Sequence, residues 1–166
     1  MRPGTEPEGV RFDTGLELPK ESDTEALGAR LAQGLGAGDL VVLSGPLGAG
    51  KTVLVRGLAR GLGVAGRVTS PTFVIARAHR PLLPGTGVPL VHVDAYRLAG
   101  PGVDVAAELD DLDLDTDLAD AVVVVEWGEG VAERLSATHL LVRLERRVDD
   151  VRVATVHRVG PPGSKR

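Results

Sequence analysis

Cysteine is absent from this chain, which excludes disulfides, thiolate catalysis and zinc–thiolate sites. Histidine occurs four times, scattered and never in H-x-x-x-H spacing, so no histidine metal cluster is written in the sequence. Aromatic side chains are scarce, with two Phe, one Trp and one Tyr. The core must therefore be built from Val, Leu and Ala, and each aromatic that does occur invites inspection. No apolar run approaches the roughly 20 residues that a membrane-crossing helix requires. The stretch Met1 to Leu18 carries Glu6, Glu8 and Asp13 and has no basic region followed by an apolar one, so no secretory signal is visible. A cytoplasmic protein with no membrane partner is the expectation. Basic residues are also missing locally: between Asp104 and Asp120 stand eight carboxylates and no Lys or Arg, which argues against nucleic-acid binding there. That run reads either as a solvated acidic face or as a docking surface for a basic partner.

At 166 residues the chain suits one domain with a single continuous core. We expect that domain over residues 10–159, with flexible tails at 1–9 and 160–166, where Pro and Gly are interspersed. Ser22-Asp23-Thr24-Glu25 has the S-x-x-E form of a capping box and precedes helical spacing, predicting a helix from Asp23 to about Gly34. Leu40 to Ser44 reads as a buried strand, and Thr52 to Leu62 as a helix stopped by Gly61 and Gly63. Thr72 to Ala78 and Leu90 to Asp94 are strand-like and joined by a Pro/Gly-rich connection, as in a hairpin or adjacent pair. Short helices are expected around Val103 to Leu109, Leu114 to Leu118 and Gly130 to Leu135. The run Ala121 to Val125 is a further buried strand, and His139 to Arg146 with Val151 to Val159 form a final hairpin turned at Val148-Asp149-Asp150. These elements predict an α/β fold, a three-layer P-loop NTPase-like domain whose mixed sheet has a parallel centre and antiparallel edges.

The chemistry is concentrated in Gly45-Pro46-Leu47-Gly48-Ala49-Gly50-Lys51-Thr52, a complete G-x-x-x-x-G-K-T loop directly after the apolar run Leu40 to Leu43. Gly45, Gly48 and Gly50 let the main chain approach phosphate oxygens without a Cβ in the way. Lys51 sets an ammonium against the β and γ phosphates, and Thr52 offers a hydroxyl to Mg²⁺ at a helix N-terminus whose dipole favours anions. Such a loop needs a carboxylate at the C-terminal end of a nearby strand to manage the metal and the attacking water. Asp94 and Glu126 both end apolar strands and are both candidates; His92 lies on the same strand face as Asp94 and reads as structural.

Missing motifs narrow the nucleotide. The chain has no asparagine and so no N-K-x-D guanine reader, and it lacks a D-x-x-G sensor, leaving ATP as the expected nucleotide. A small-molecule kinase shares the loop and the size. Its phosphate lid would carry arginines, whereas the 104–120 region is acidic.

Four segments together resemble one family: the loop above, Ser70-Pro71-Thr72-Phe73, His92-Val93-Asp94-Ala95-Tyr96-Arg97-Leu98, and Glu126-Trp127-Gly128-Glu129. Their order and spacing are similar to those of TsaE, the small ATPase of bacterial tRNA threonylcarbamoyladenosine synthesis, over roughly residues 20–147. The resemblance implies that Lys51 and the loop hold the phosphates, that Thr52 and Glu126 contact Mg²⁺, and that Asp94 takes the Walker B position. It also implies that Ser70 to Phe73, Thr72 among them, respond to the γ-phosphate, and that Trp127 lies near the nucleotide or a partner. Glu21 to Thr24 would border the adenine, or else be a plain helix cap. The implied partners are TsaB and TsaD homologues, with tRNA engaged indirectly through that complex, in which TsaD modifies adenosine 37 of ANN-decoding tRNAs. The chain departs from the family pattern in the connection Arg80 to Pro89 and in the acidity of Asp110 to Asp117. No arginine is evidently fixed as a finger, Arg77 and Arg97 being unplaced, so hydrolysis by the isolated chain is expected to be weak and partner-activated. A small-molecule kinase and a non-hydrolysing nucleotide sensor are the competing readings.

Overall fold

The computed structural model describes residues 7, 10–65, 68, 76–83, 87–95, 100–112, 117–127 and 130–160. In chain order these give β1 (Leu16–Leu18), α1 (Glu21–Ala32), β2 (Leu40–Ser44), α2 (Lys51–Leu62), β3 (Ala76–His79), β4 (Leu90–Asp94), α3 (Val105–Asp110), a 3₁₀ turn (Leu118–Asp120), β5 (Val122–Glu126), α4 (Ala132–Leu135), β6 (His139–Arg146) and β7 (Arg152–Val159).

The strands form one 7-stranded sheet in the order β1-β7-β6-β2-β5-β4-β3. Strands β6, β2, β5 and β4 run parallel at the centre, and β7, β1 and β3 close the edges antiparallel. The expected mixed sheet is thus present. Its central strands are near-continuous apolar runs because both faces are covered. Val41, Leu43, Val122, Val124, Leu140 and Val142 face one core layer with Leu27, Leu31, Leu54 and Leu58 of α1 and α2. The alternate positions Leu40, Val42, Val91, Val93, Val123 and Val125 pack on the other side with Val105 and Leu109 of α3 and Val131 and Ala132 at α4. Period-two alternation in each strand thereby generates three layers.

Several boundaries differ from expectation for identifiable reasons. Helix α1 begins at Glu21, because the carboxylate that caps it belongs to Asp23, whose Oδ2 accepts the Lys20 N–H at 2.8 Å. The S-x-x-E pattern two residues later is therefore not the cap. Gly61 does not stop α2; it lies inside the helix, and Gly63 alone ends it, at φ +68°. Gly61 and Gly57 are there because α1 comes too close for a Cβ: one at Gly57 would sit 2.0 Å from the Glu25 carbonyl oxygen. Strand β1 carries no sequence signal: three residues, of which only Leu18 is buried, give no periodic pattern, and pairing with β7 creates the strand. The strand-like run from Thr72 is described only from Ala76, and residues 72–75 lie outside the described residues, as do 113–116 in the second acidic helix expected and most of both tails. The hairpin of β6 and β7 forms as expected, with Asp150 at φ +67° in its turn.

Candidate nucleotide site

Strand β2 ends at Ser44 and α2 starts at Lys51, so the loop between them is delivered by a buried strand and drained by a helix. Gly45, Gly48 and Gly50 have φ of +155°, +80° and +101°. Two of these conformations are strongly disfavoured for any residue with a side chain. At Gly45 a Cβ would also fall 2.5 Å from the Leu144 carbonyl oxygen, so only glycine lets the loop tuck against β6. Ala49 is buried while Leu47 is 92% exposed at the loop tip.

Register places the carboxylates. In the parallel ladder Leu43 lies opposite Glu126 and Glu126 opposite Asp94. The C-terminal ends of β2, β5 and β4 are consequently adjacent, about 4.8 Å apart from strand to strand. A cleft of about 360 Å³ opens over these ends, lined by the loop, Lys51, Thr52, Asp94, Glu126, Trp127 and Arg152. A larger cavity of about 510 Å³ lies behind α2 beside Arg56, Arg60 and Leu82 and contains none of the loop.

Lys51 is 8% exposed. Its Nζ donates to the carbonyls of Gly45 at 2.5 Å and Pro46 at 3.0 Å and stands 4.0 Å from the centroid of the Trp127 indole, a cation–π contact. Burial lowers its pKa from 10.5, while the negative charges of Glu126 and Asp94 act in the opposite direction. Trp127 adopts φ +60°, rare for a bulky residue, while its N–H donates to the Leu43 carbonyl at 3.1 Å. The strained backbone is what turns the indole back over Lys51 immediately after Glu126.

His92 is fully buried, its Nε2 3.2 Å from Glu126 Oε2 but off the line of a hydrogen bond, and its Nδ1 has no hydrogen-bond partner among the described residues. It therefore packs against a carboxylate of the cleft, a contact that no local pattern in the sequence signals. Arg152 was missed as well, since nothing local in Asp150-Val151-Arg152 points to a loop a hundred residues earlier. Of the two arginines considered from sequence, Arg77 is exposed on β3 and does not line the cleft, and Arg97 lies outside the described residues. So do Ser70 to Phe73, including Thr72. Glu21 and Glu25 pair with Arg56 and Arg60 of α2, and Asp23 caps α1; the stretch thus acts as a helix start and interhelical contact.

The donor chemistry fits a hard cation held jointly with phosphates. Thr52 supplies a hydroxyl and Glu126 and Asp94 supply carboxylates, whereas no group of three or more His, Cys, Asp or Glu among the described residues could hold a metal unaided. Magnesium is ordinarily bound in this shared way, through one or two carboxylates plus substrate oxygens.

Residues 18–154 match the family described as threonylcarbamoyl adenosine biosynthesis protein TsaE. A TsaE of Mycobacterium tuberculosis is 64% identical over 140 residues, covering 83% of each chain. That of Streptomyces coelicolor is 61% identical over 138 residues, covering 81% of this chain and 89% of the relative. That of Bacillus subtilis is 36% identical over 140 residues, covering 83% and 81%. The crystal structure of Bacillus subtilis YdiB superposes with a TM-score of 0.65 at 27% identity, covering 88% of this chain and 84% of that one. With the loop, the paired carboxylates and these likenesses in agreement, the chain belongs to the TsaE family.

Proposed function

We propose that this chain is a Mg²⁺-dependent ATP hydrolase of the cytoplasm that acts with TsaB and TsaD homologues in forming N6-threonylcarbamoyladenosine at position 37 of tRNAs reading ANN codons. The observation that carries the reading is Lys51, buried beneath the loop between its carbonyls and Trp127, with Glu126 and Asp94 on adjoining strand ends. An incoming triphosphate offers this desolvated ammonium far stronger acceptors than two neutral carbonyls. The loop N–H groups orient the phosphates, and Lys51 screens charge that would repel a nucleophile.

Thr52 and Glu126 would hold Mg²⁺, which when bound polarises the phosphate oxygens and neutralises charge that develops in transfer. Asp94, one strand further along, would orient water and accept its proton at a carboxylate oxygen. His92, packed against Glu126 Oε2, would limit where that carboxylate can turn.

The names carried by the relatives support the tRNA-modification role. Phosphate release from ATP, measured for the chain alone and with its organism's own TsaB and TsaD, tests the proposal. Slow release alone and a large acceleration by the pair is the expected outcome. Equal rates in both conditions, or phosphate transfer to a small-molecule acceptor in place of water, would refute it.

A further inference from the structure

Arg146, Arg147 and Arg152 flank the turn of the β6–β7 hairpin, and two of them are neutralised. Arg146 pairs with Asp150 at 2.5 Å, and Arg147 pairs with Glu17 and Asp149. Arg152 is different. Its Nη1 donates to the Asp150 carbonyl at 2.8 Å and its Nη2 to the Gly48 carbonyl at 3.3 Å, and no carboxylate among the described residues engages it. It also lies directly opposite Arg146 in the antiparallel ladder. Asp150 neutralises Arg146 in that pairing, so the ladder itself offers the Arg152 charge no counterion.

Charge in the cleft explains what it could be kept for. Among the described residues, the ionisable side chains lining it are Lys51, Asp94, Glu126 and Arg152. Without Arg152 they would sum to a net negative charge, a poor receptor for a polyanion; with it they balance. The approach is also from the free side. Asp94 and Glu126 come from β4 and β5 on one flank of β2, whereas Arg152 reaches the loop from β7 beyond β6 on the other flank.

We propose that Arg152 is a phosphate-binding residue, which leaves the Gly48 carbonyl to grip the phosphate chain of the bound nucleotide across from the carboxylate flank. The guanidinium fork, already anchored on the loop, matches paired phosphate oxygens in a way that a lysine does not. This inference rests on the reading of the cleft as an ATP site.

Calorimetric titration of ATP and ADP with Mg²⁺ into the full chain tests it, using wild type, Arg152→Ala, Arg152→Lys, Lys51→Ala and, as a charge control away from the cleft, Arg147→Ala. Loss of one charge-assisted contact predicts affinity roughly 10–100-fold weaker in Arg152→Ala, a smaller loss in Arg152→Lys, and none in Arg147→Ala. Melting of the nucleotide-free variants identifies any that lose binding through misfolding, in which case Arg152→Lys decides. Arg152→Ala binding within about twofold of wild type, while Lys51→Ala loses binding, overturns the role of Arg152 and leaves the ATP site standing. Wild type giving no heat with either nucleotide overturns both.

Discussion

Gly57→Ala perturbs the contact that fixes α2, and with it the loop residues at the start of that helix. A Cβ at position 57 would stand 2.0 Å from the Glu25 carbonyl oxygen and 2.8 Å from its carbon. Carbon and oxygen ordinarily approach to about 3.3 Å, so the helices must separate by roughly an ångström. The obstacle is backbone, so no rotamer change relieves it. Separation would also loosen the layer in which Leu27, Leu54 and Leu58 are wholly buried. Overpacking of this kind costs about 1–3 kcal/mol, here at the upper end, and the better helix propensity of Ala offsets about 1 kcal/mol. The net loss of about 2 kcal/mol corresponds to a melting temperature about 4–8 °C lower for a domain of this size. Thermal unfolding followed by circular dichroism checks the figure against Gly36→Ala, where nothing lies within 4 Å of the added methyl. A Gly57→Ala protein that melts at or above wild type, with Gly36→Ala unchanged, would refute the reading of α1 and α2 as a backbone-to-backbone contact.

The other predictions concern the cleft. Lys51→Ala should abolish ATP hydrolysis, read as phosphate release, without unfolding the chain. Burial lowers the Lys51 pKa from 10.5, so between its folded value and 10.5 the unfolded state binds more protons; the destabilisation due to this buried charge, present in full at lower pH, is relieved as pH rises through that window. With ATP held by the ammonium as proposed, affinity followed by the fluorescence of the single tryptophan should fall over the same window, and an affinity flat up to 10.5 would contradict the shift. His92→Phe removes the neighbour 3.2 Å from Glu126 Oε2. It should lower kcat about tenfold or more with little change in KM, and His92→Gln should recover part of it; an unchanged kcat would show that His92 only fills space.

The parts of this site that were legible in sequence share one property: their meaning is carried by neighbours along the chain. Gly45 to Thr52 states a loop, a helix start and a cation in eight consecutive residues, and Asp94 and Glu126 announce themselves as polar ends of apolar runs. The parallel centre followed from those runs being apolar on both faces. The Arg152 contact with Gly48 spans |i−j| = 104, and it exists only because the sheet order sets β7 next to β6 and β6 next to β2. His92 looks like an ordinary core residue until register aligns β4 with β5 and brings it to Glu126. Strand β1 and the glycines of α2 were obscure for the same reason: a three-residue edge strand and a close helix crossing are set by the partner element.

The two flanks of the loop also divide the energetics. Under the proposed mechanism Lys51, Asp94 and Glu126 face the place where charge changes during transfer, so substitutions there should lower kcat. A guanidinium gripping phosphates from the β6–β7 side binds the ground state and the transition state about equally, and such uniform binding lowers KM without raising kcat. On that proposal Arg152 does not replace the proposed activation in trans, whose effect in related phosphoryl transfers is about 10³–10⁵ in rate. Steady-state kinetics separate the two: Arg152→Ala should raise KM for ATP at nearly constant kcat, both alone and in the presence of TsaB and TsaD, whereas the protein partners should raise kcat. If Arg152→Ala instead abolished only the partner-stimulated part of kcat, the arginine would belong to the activation step, and the division between binding and catalytic flanks would be wrong.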